Sequence, residues 1–210
     1  MGNKIIVNER ETGKTTYLLN EVDKYWKNNY NVIVMDSATE HVDKSLLKKV
    51  MKTYKDAELY EIEDFDKVVL NNNSYNYFLE NYTTFFPYNE LVNTSSRIKC
   101  FDLSYFLEKG HDVFERTGDE KLYKYYRNLY NMLSQQIALS LILCERDNLI
   151  SDCVVVIDEI EFPIFSYDIS QLQKDISFIA SVHPENSFGS FYNSFEVLQD
   201  FKPYIKRRKI

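Results

Sequence analysis

The apolar positions change period twice within the first 36 residues. Lys4–Val7 carries Ile5, Ile6 and Val7 in one continuous run, the pattern of a strand buried on both faces. A polar loop follows. Over Lys14–Tyr25 the residues Tyr17, Leu18, Val22 and Tyr25 then fall on one side of a helix. Asn28–Asn31 reads as a turn and Val32–Met35 as a second buried strand. The opening is therefore β–loop–α–β, the start of a parallel sheet.

Val42–Tyr54 is amphipathic, with Leu46, Leu47, Val50 and Met51 on one face, and Glu58–Ile62 reads as a short strand. From Asp64 to Arg97 no single period holds, but Tyr75, Tyr77, Phe78, Tyr82, Phe85 and Phe86 are too dense for a flexible linker. Phe101–Phe114 reads as helical, with Gly110 and Gly118 as punctuation. Glu120–Arg146 predicts the longest helix, because Leu122, Tyr126, Leu129, Leu133, Ile137, Leu141 and Cys144 step by three and four. Tyr123 and Tyr130 fall off that stripe, toward solvent or a neighbour. Cys153–Ile157 and Ile176–Val182 are two more buried strands, and Ser194–Phe201 reads as a last short helix.

Composition sharpens this picture in three ways. Only five Gly and four Pro occur in 210 residues, so helices rather than tight turns fill the space between strands. The net charge of −7 does not favour a surface that tracks nucleic-acid phosphates, although Lys202, Lys206, Arg207, Arg208 and Lys209 form a local basic tail, read as a frayed end. Cys100, Cys144 and Cys153 have no metal-type spacing, and an odd number in apolar surroundings suits a reducing compartment. His41, His111 and His183 add no ligand spacing to them, so no zinc site is expected. The longest apolar stretch, near Ile137–Leu143, is too short to span a bilayer, and Ile6 stands where a myristoylation signal wants Ser or Thr. The expectation is a soluble, cytoplasmic protein without membrane attachment.

The candidate chemistry lies in two places. The first is Asn8-Glu9-Arg10-Glu11-Thr12-Gly13-Lys14-Thr15-Thr16, a loop leaving the first strand and opening the first helix. Backbone N–H groups at such a helix start point at an anion, and the helix dipole favours negative charge there. Glu9 and Glu11 repel a phosphate unless they face solvent or a partner, and Arg10 offsets part of their charge. The second place is Cys153–Glu159, an apolar strand ending in Asp158 and Glu159. Two acids at the carboxyl end of a strand beside the loop's own strand are what metal-assisted phosphoryl chemistry needs.

Gly13-Lys14-Thr15 resembles the second half of the Walker A P-loop, with Asn8 in the place of its first glycine. Asn is among the residues that best tolerate a positive φ. Cys153–Glu159 resembles the Walker B element. The two together are similar to P-loop NTPases of the additional-strand, catalytic-Glu class, which holds AAA+, RecA-like and terminase-like ATPases. The resemblance covers Lys4–Thr16 and Cys153–Glu159, extends to Ile176–His183, and covers little between. It implies that Lys14 reaches the β and γ phosphates, that Thr15 and Asp158 hold Mg²⁺, and that Glu159 polarises the attacking water. It also implies a polar γ-phosphate sensor at the end of the strand next to Walker B, where Ser181 and His183 stand; a strand-end turn set by Pro184 explains them equally.

A narrower resemblance is to the thymidine kinases, whose Asp-Glu-x-Gln-Phe element is similar to Asp158-Glu159-Ile160-Glu161-Phe162. The paired-Cys zinc ribbon of that family is missing, and roughly 140 residues between the two motifs is long for a compact kinase core. Asp36, Thr39 and His41 follow the second strand and lie where substrate contacts gather in open parallel sheets; alternatively Ser37 or Thr39 caps the helix beginning near Val42.

The sequence thus predicts a three-layer α/β P-loop NTPase fold with a mainly parallel sheet. Its core is residues 1–64 and 150–201, its insertion the largely helical, aromatic-rich 65–149, and its tail 202–210. The expected function is Mg²⁺-dependent hydrolysis of a nucleoside triphosphate, ATP first, coupled to a protein partner or to self-association through 65–149. A nucleoside or small-molecule kinase is the alternative, and a nucleotide-dependent interaction module with little turnover the second. Arg97, Arg116, Arg127 and Arg146 are the candidates for an arginine finger.

Overall fold

A seven-stranded sheet in the order β3-β4-β2-β5-β6-β1-β7 organises the chain. The strands are β1 (Lys4–Val7), β2 (Asn31–Asp36), β3 (Glu58–Tyr60), β4 (Ile98–Asp102), β5 (Cys153–Asp158), β6 (Ile176–Val182) and β7 (Glu196–Gln199). All six neighbouring pairs are parallel. The computed structural model describes residues 3–7, 13–36, 45–60, 96–128, 130, 144, 147, 149–158, 176–182 and 196–199. Among them, no helix is long and apolar enough to cross a membrane.

The continuous apolar runs have a direct cause. A parallel sheet is covered on both faces, so successive side chains of one strand are all buried. Val32, Val34, Ile98, Cys100, Val154, Val156 and Ile179 face a core shared with Leu18, Val22 and Tyr25 of α1 (Lys14–Lys27) and Leu46, Leu47 and Val50 of α2 (Leu46–Thr53). On the opposite parity Ile5, Ile33, Met35, Phe101, Val155, Ile157 and Phe178 are buried as well. The α/β architecture with a parallel sheet therefore stands as expected.

Helix α1 ends on Asn29, at φ 65°, with Tyr30 N–H donating to the Tyr25 carbonyl at 3.1 Å. That is a left-handed stop of the kind Asn tolerates, and Lys24 and Lys27 in the last turn suit the negative end of the dipole. Helix α2 begins at Leu46, not Val42. Its cap is Ser45, whose Oγ accepts from Lys48 N–H at 3.2 Å, so neither Ser37 nor Thr39 has that role; residues 37–44 lie outside the described ones.

Four expectations change. Phe101–Phe114 is not one helix: Ile98–Asp102 is a strand, and α3 (Ser104–Thr117) follows it. Lys99, a buried cation within that strand, breaks the apolar pattern that would have marked it. Consequently the range 65–149 is not a helical insertion throughout, because β4 sits between β3 and β2 in the sheet. Ser194–Phe201 is not a helix where it is described: Glu196–Gln199 pairs in register with Lys4–Val7, and tertiary ladder bonds override a weak local preference. The fourth change is in α4 (120–128), where Leu122 is 37 % exposed while Tyr130, just beyond, is only 1 % exposed. The inward stripe is Tyr123, Tyr126 and Tyr130. It is set by Gly110 of α3, where an added Cβ would lie 3.2 Å from Tyr126 Cβ. Tyr123 packs against Phe114 and His111 at ring separations of 5.5 Å. Tyr130 is thus a core residue and not a surface one. The remainder of Glu120–Arg146, apart from Cys144, lies outside the described residues.

Candidate functional site

Because every strand runs the same way, the carboxyl ends of β1, β6, β5, β2 and β4 share one edge of the sheet. Helix α1 starts at that edge and packs over β5, β6 and β2 on its way to the start of β2. Gly13 makes the entry. It sits at φ 87° and ψ 16°, a left-handed conformation that a Cβ disfavours by about 1–2 kcal/mol. Its carbonyl accepts the first helical bond, from Tyr17 N–H at 3.0 Å. The following N–H groups are those a helix start leaves without an intrahelical acceptor.

Lys14 is buried at 5 % exposure, Thr15 half-buried, and Thr16 exposed. Thr15 Oγ1 donates to Asp158 Oδ2 at 2.8 Å across 143 residues of sequence. The other oxygen, Asp158 Oδ1, accepts from Ser181 Oγ at 2.6 Å. Asp158 extends the parity of Val154 and Val156, and Ser181 that of Ile179; both are buried, and both lie on the α1 side of the sheet. One carboxylate is thereby held by donors from α1 and from β6. These contacts join Thr15, Asp158 and Ser181 of the predicted site, and Gly13 and Lys14 immediately precede Thr15 at the start of α1. Asp158 is not beside β1, as the sequence reading required, but one strand further, with β6 between.

Asp36 is in register with Asp158 on one side and Asp102 on the other. Its carboxylate has a local use, because Oδ2 accepts from Leu47 N–H at the start of α2 at 3.2 Å. Its backbone carbonyl accepts from Leu103 N–H at 2.9 Å. Asp102 Oδ1 similarly accepts from Ser104 N–H at 2.9 Å at the start of α3. Asp36 therefore anchors a helix start. The negative charge is nevertheless felt locally: burial first, and Asp36 second, push the Cys100 thiol up to about 12. Burial likewise pushes Cys144 up to about 12, and both thiols are inert small apolar groups at neutral pH. Asp102 was missed by sequence reasoning: β2 and β5 each end an apolar run on Asp, and β4 ends on Asp as well, but Lys99 interrupts the run that would have marked it.

Three of the candidate arginines are engaged elsewhere. Arg97 precedes β4 at the opposite edge, donating to Trp26 O at 3.3 Å and Asn29 Oδ1 at 3.1 Å and lying over the Trp26 ring. Arg116 pairs with Asp112 on the exposed last turns of α3, and Arg127 lies over the Tyr123 ring. Asn8, Glu9, Arg10, Glu11, Thr12, Thr39, His41, Arg146, Glu159 and His183 lie outside the described residues. No protein-family model matches the chain, and no curated protein matches its sequence.

Proposed function

We propose that the chain binds a nucleoside triphosphate, ATP in the first instance, and hydrolyses it with Mg²⁺ in the manner of the additional-strand P-loop NTPases. The observation that carries this reading is the bond from Thr15 Oγ1 to Asp158 Oδ2 at 2.8 Å. The hydroxyl at a helix start and the acid at a strand end are the two residues the resemblance pairs on one metal, and they are in contact. The strand order supports the same reading. An added strand sets that class apart, and β6 stands as one between β1 and β5.

The donor set suits Mg²⁺. This hard cation takes one or two carboxylates together with hydroxyl, water and phosphate oxygens. Thr15 spends its proton on Asp158, which leaves its oxygen lone pairs available and more basic. Thr15 would hold the ion directly and Asp158 would orient its ligands. The bound cation supplies charge neutralisation on the β and γ phosphates.

The chain's own residues perform the rest. Gly13 at φ 87° turns the backbone so that the first N–H groups of α1 point out of the helix at the phosphates. Lys14 supplies a cation at the same place, in a buried setting where each hydrogen bond to a charged group is worth about 1.5–3 kcal/mol. Glu159, next in sequence after Asp158, accepts the proton of the attacking water. Oxygen attacks the γ-phosphorus, the bond to the β-phosphate oxygen breaks, and the diphosphate and inorganic phosphate leave. Any protein partner remains an expectation for the 65–149 range.

Titration calorimetry with Mg-ATP, and separation of products from γ-labelled ATP with and without a nucleoside mix, test the proposal. Lys14→Ala abolishes binding. Glu159→Gln keeps binding and lowers hydrolysis by roughly 10²–10⁴-fold. Equal Mg-ATP affinity in wild type and Lys14→Ala refutes the phosphate-loop assignment, and label recovered in a nucleoside monophosphate replaces hydrolysis by the kinase reading.

A further inference from the structure

Ser181 is fully buried at the end of β6, and its only proton is directed at Asp158 Oδ1 at 2.6 Å. The parallel register that pairs Val156 with Ile179 and Ile157 with Ala180 brings Ser181 level with Asp158. The two side chains share a face, and neither strand can slip without breaking the ladder. The resemblance in sequence assigns the end of this strand a γ-phosphate sensor. Phosphate oxygens only accept, so a hydroxyl that donates to Asp158 has no proton for them.

We infer that Ser181 is a positioning residue for the Mg²⁺ site: it fixes the rotation of the Asp158 carboxylate so that Oδ2 stays turned to Thr15 and the metal. The inference rests on the nucleotide reading above. The terminal torsion of an aspartate is broad, so one donor alone leaves the carboxylate free to swing. Donors on both oxygens, one from α1 and one from β6, remove that freedom. Outer partners of a metal site typically change its metal affinity by about 10–100-fold when removed, and Ser181 stands one contact outside Asp158, which itself orients the ion's ligands, so the lower end, about tenfold, applies.

The test is the affinity of a fluorescent ATP analogue, measured in EDTA and across a Mg²⁺ titration, for wild type, Ser181→Ala, Ser181→Thr and Ser181→Cys. In Ser181→Ala the metal-free affinity stays within about twofold, while the Mg²⁺ concentration for half-maximal effect rises about tenfold. Ser181→Thr, which keeps the hydroxyl, restores the wild-type midpoint. Ser181→Cys, a weak donor of similar shape, falls between and carries the test if the alanine variant does not fold. An unmoved Mg²⁺ midpoint in Ser181→Ala or Ser181→Cys overturns the positioning role. So does an equal loss of affinity with and without Mg²⁺, which would make Ser181 a phosphate contact. A wild-type protein that binds no nucleotide, with or without Mg²⁺, overturns the nucleotide reading itself, whereas one that binds nucleotide with an affinity that ignores Mg²⁺ overturns the metal site and with it the Ser181 assignment.

Discussion

The bond between Thr15 and Asp158 has an energetic consequence that can be measured with no nucleotide or metal present. Thr15→Val removes the hydroxyl and keeps the shape. Asp158 is 3 % exposed, so water does not readily replace the lost donor. A hydrogen bond to a charged group is worth about 1.5–3 kcal/mol. Ser181 still holds Oδ1, so the carboxylate is not orphaned, and the lower half of that range, about 1.5–2 kcal/mol, applies. In a domain of this size each kcal/mol moves the melting temperature by roughly 2–4 °C, which gives a fall of roughly 3–8 °C. The assay is urea unfolding of wild type, Thr15→Val, Asp158→Ala and the double variant, in EDTA at pH 7. The coupling between the two sites should lie near 1.5–2 kcal/mol at constant slope of the unfolding curve. Thr15→Ser, which keeps the donor, should recover most of the loss. Additive single effects, within about 0.3–0.5 kcal/mol, would show that hydroxyl and carboxylate do not interact, and the site would lose its foundation.

Asp36→Ala removes the acceptor for Leu47 N–H and should cost about 1 kcal/mol in urea unfolding, in line with other lost helix-start acceptors. Its Mg-ATP affinity should not fall, because the carboxylate is a neighbour of Asp158 that repels phosphate; a tenfold loss by calorimetry would make Asp36 a substrate contact. Tyr130→Ser should cost about 3–5 kcal/mol, a fall of roughly 6–20 °C in melting temperature, and a fall under about 2 °C would return Tyr130 to the surface. Lys99→Met should stabilise the protein, more at pH 7 than at pH 10. Burial holds the Lys99 ammonium below its ordinary 10.5, so between the lowered value and 10.5 the unfolded chain binds more protons. Wild-type stability therefore rises with pH across that window, and the advantage of the variant shrinks; urea midpoints that differ equally at both pH values refute this account.

Chain-local physics was legible in the sequence. The runs Ile5–Val7, Val32–Met35 and Cys153–Ile157 read as strands buried on both faces because they are short and rich in β-branched residues, and Ile176–Val182 reads likewise from its short apolar run around Phe178, Ile179 and Ala180. The left-handed entry at Gly13 came from the structure, whereas Lys14 marked the opening of a helix and Asp158 marked the end of a strand. Each of these depends on neighbours a few residues away. Strand order does not. Nothing local in Lys4–Val7 chooses Ile176–Val182 and Glu196–Gln199 as its two partners, and with β6 between β1 and β5 the acid stands one strand further off than the sequence suggested. The same limit hid β4, whose Lys99 looks like a surface residue until the sheet buries it, and reversed Tyr130 and Leu122, whose orientation is set by the close approach of α4 at Gly110. Above all, the meeting of Thr15, Ser181 and Asp158 belongs to the tertiary structure, because 143 residues separate Thr15 from Asp158 and only the packing of α1 across the sheet, with β6 held in register beside β5, brings two hydroxyls to one carboxylate.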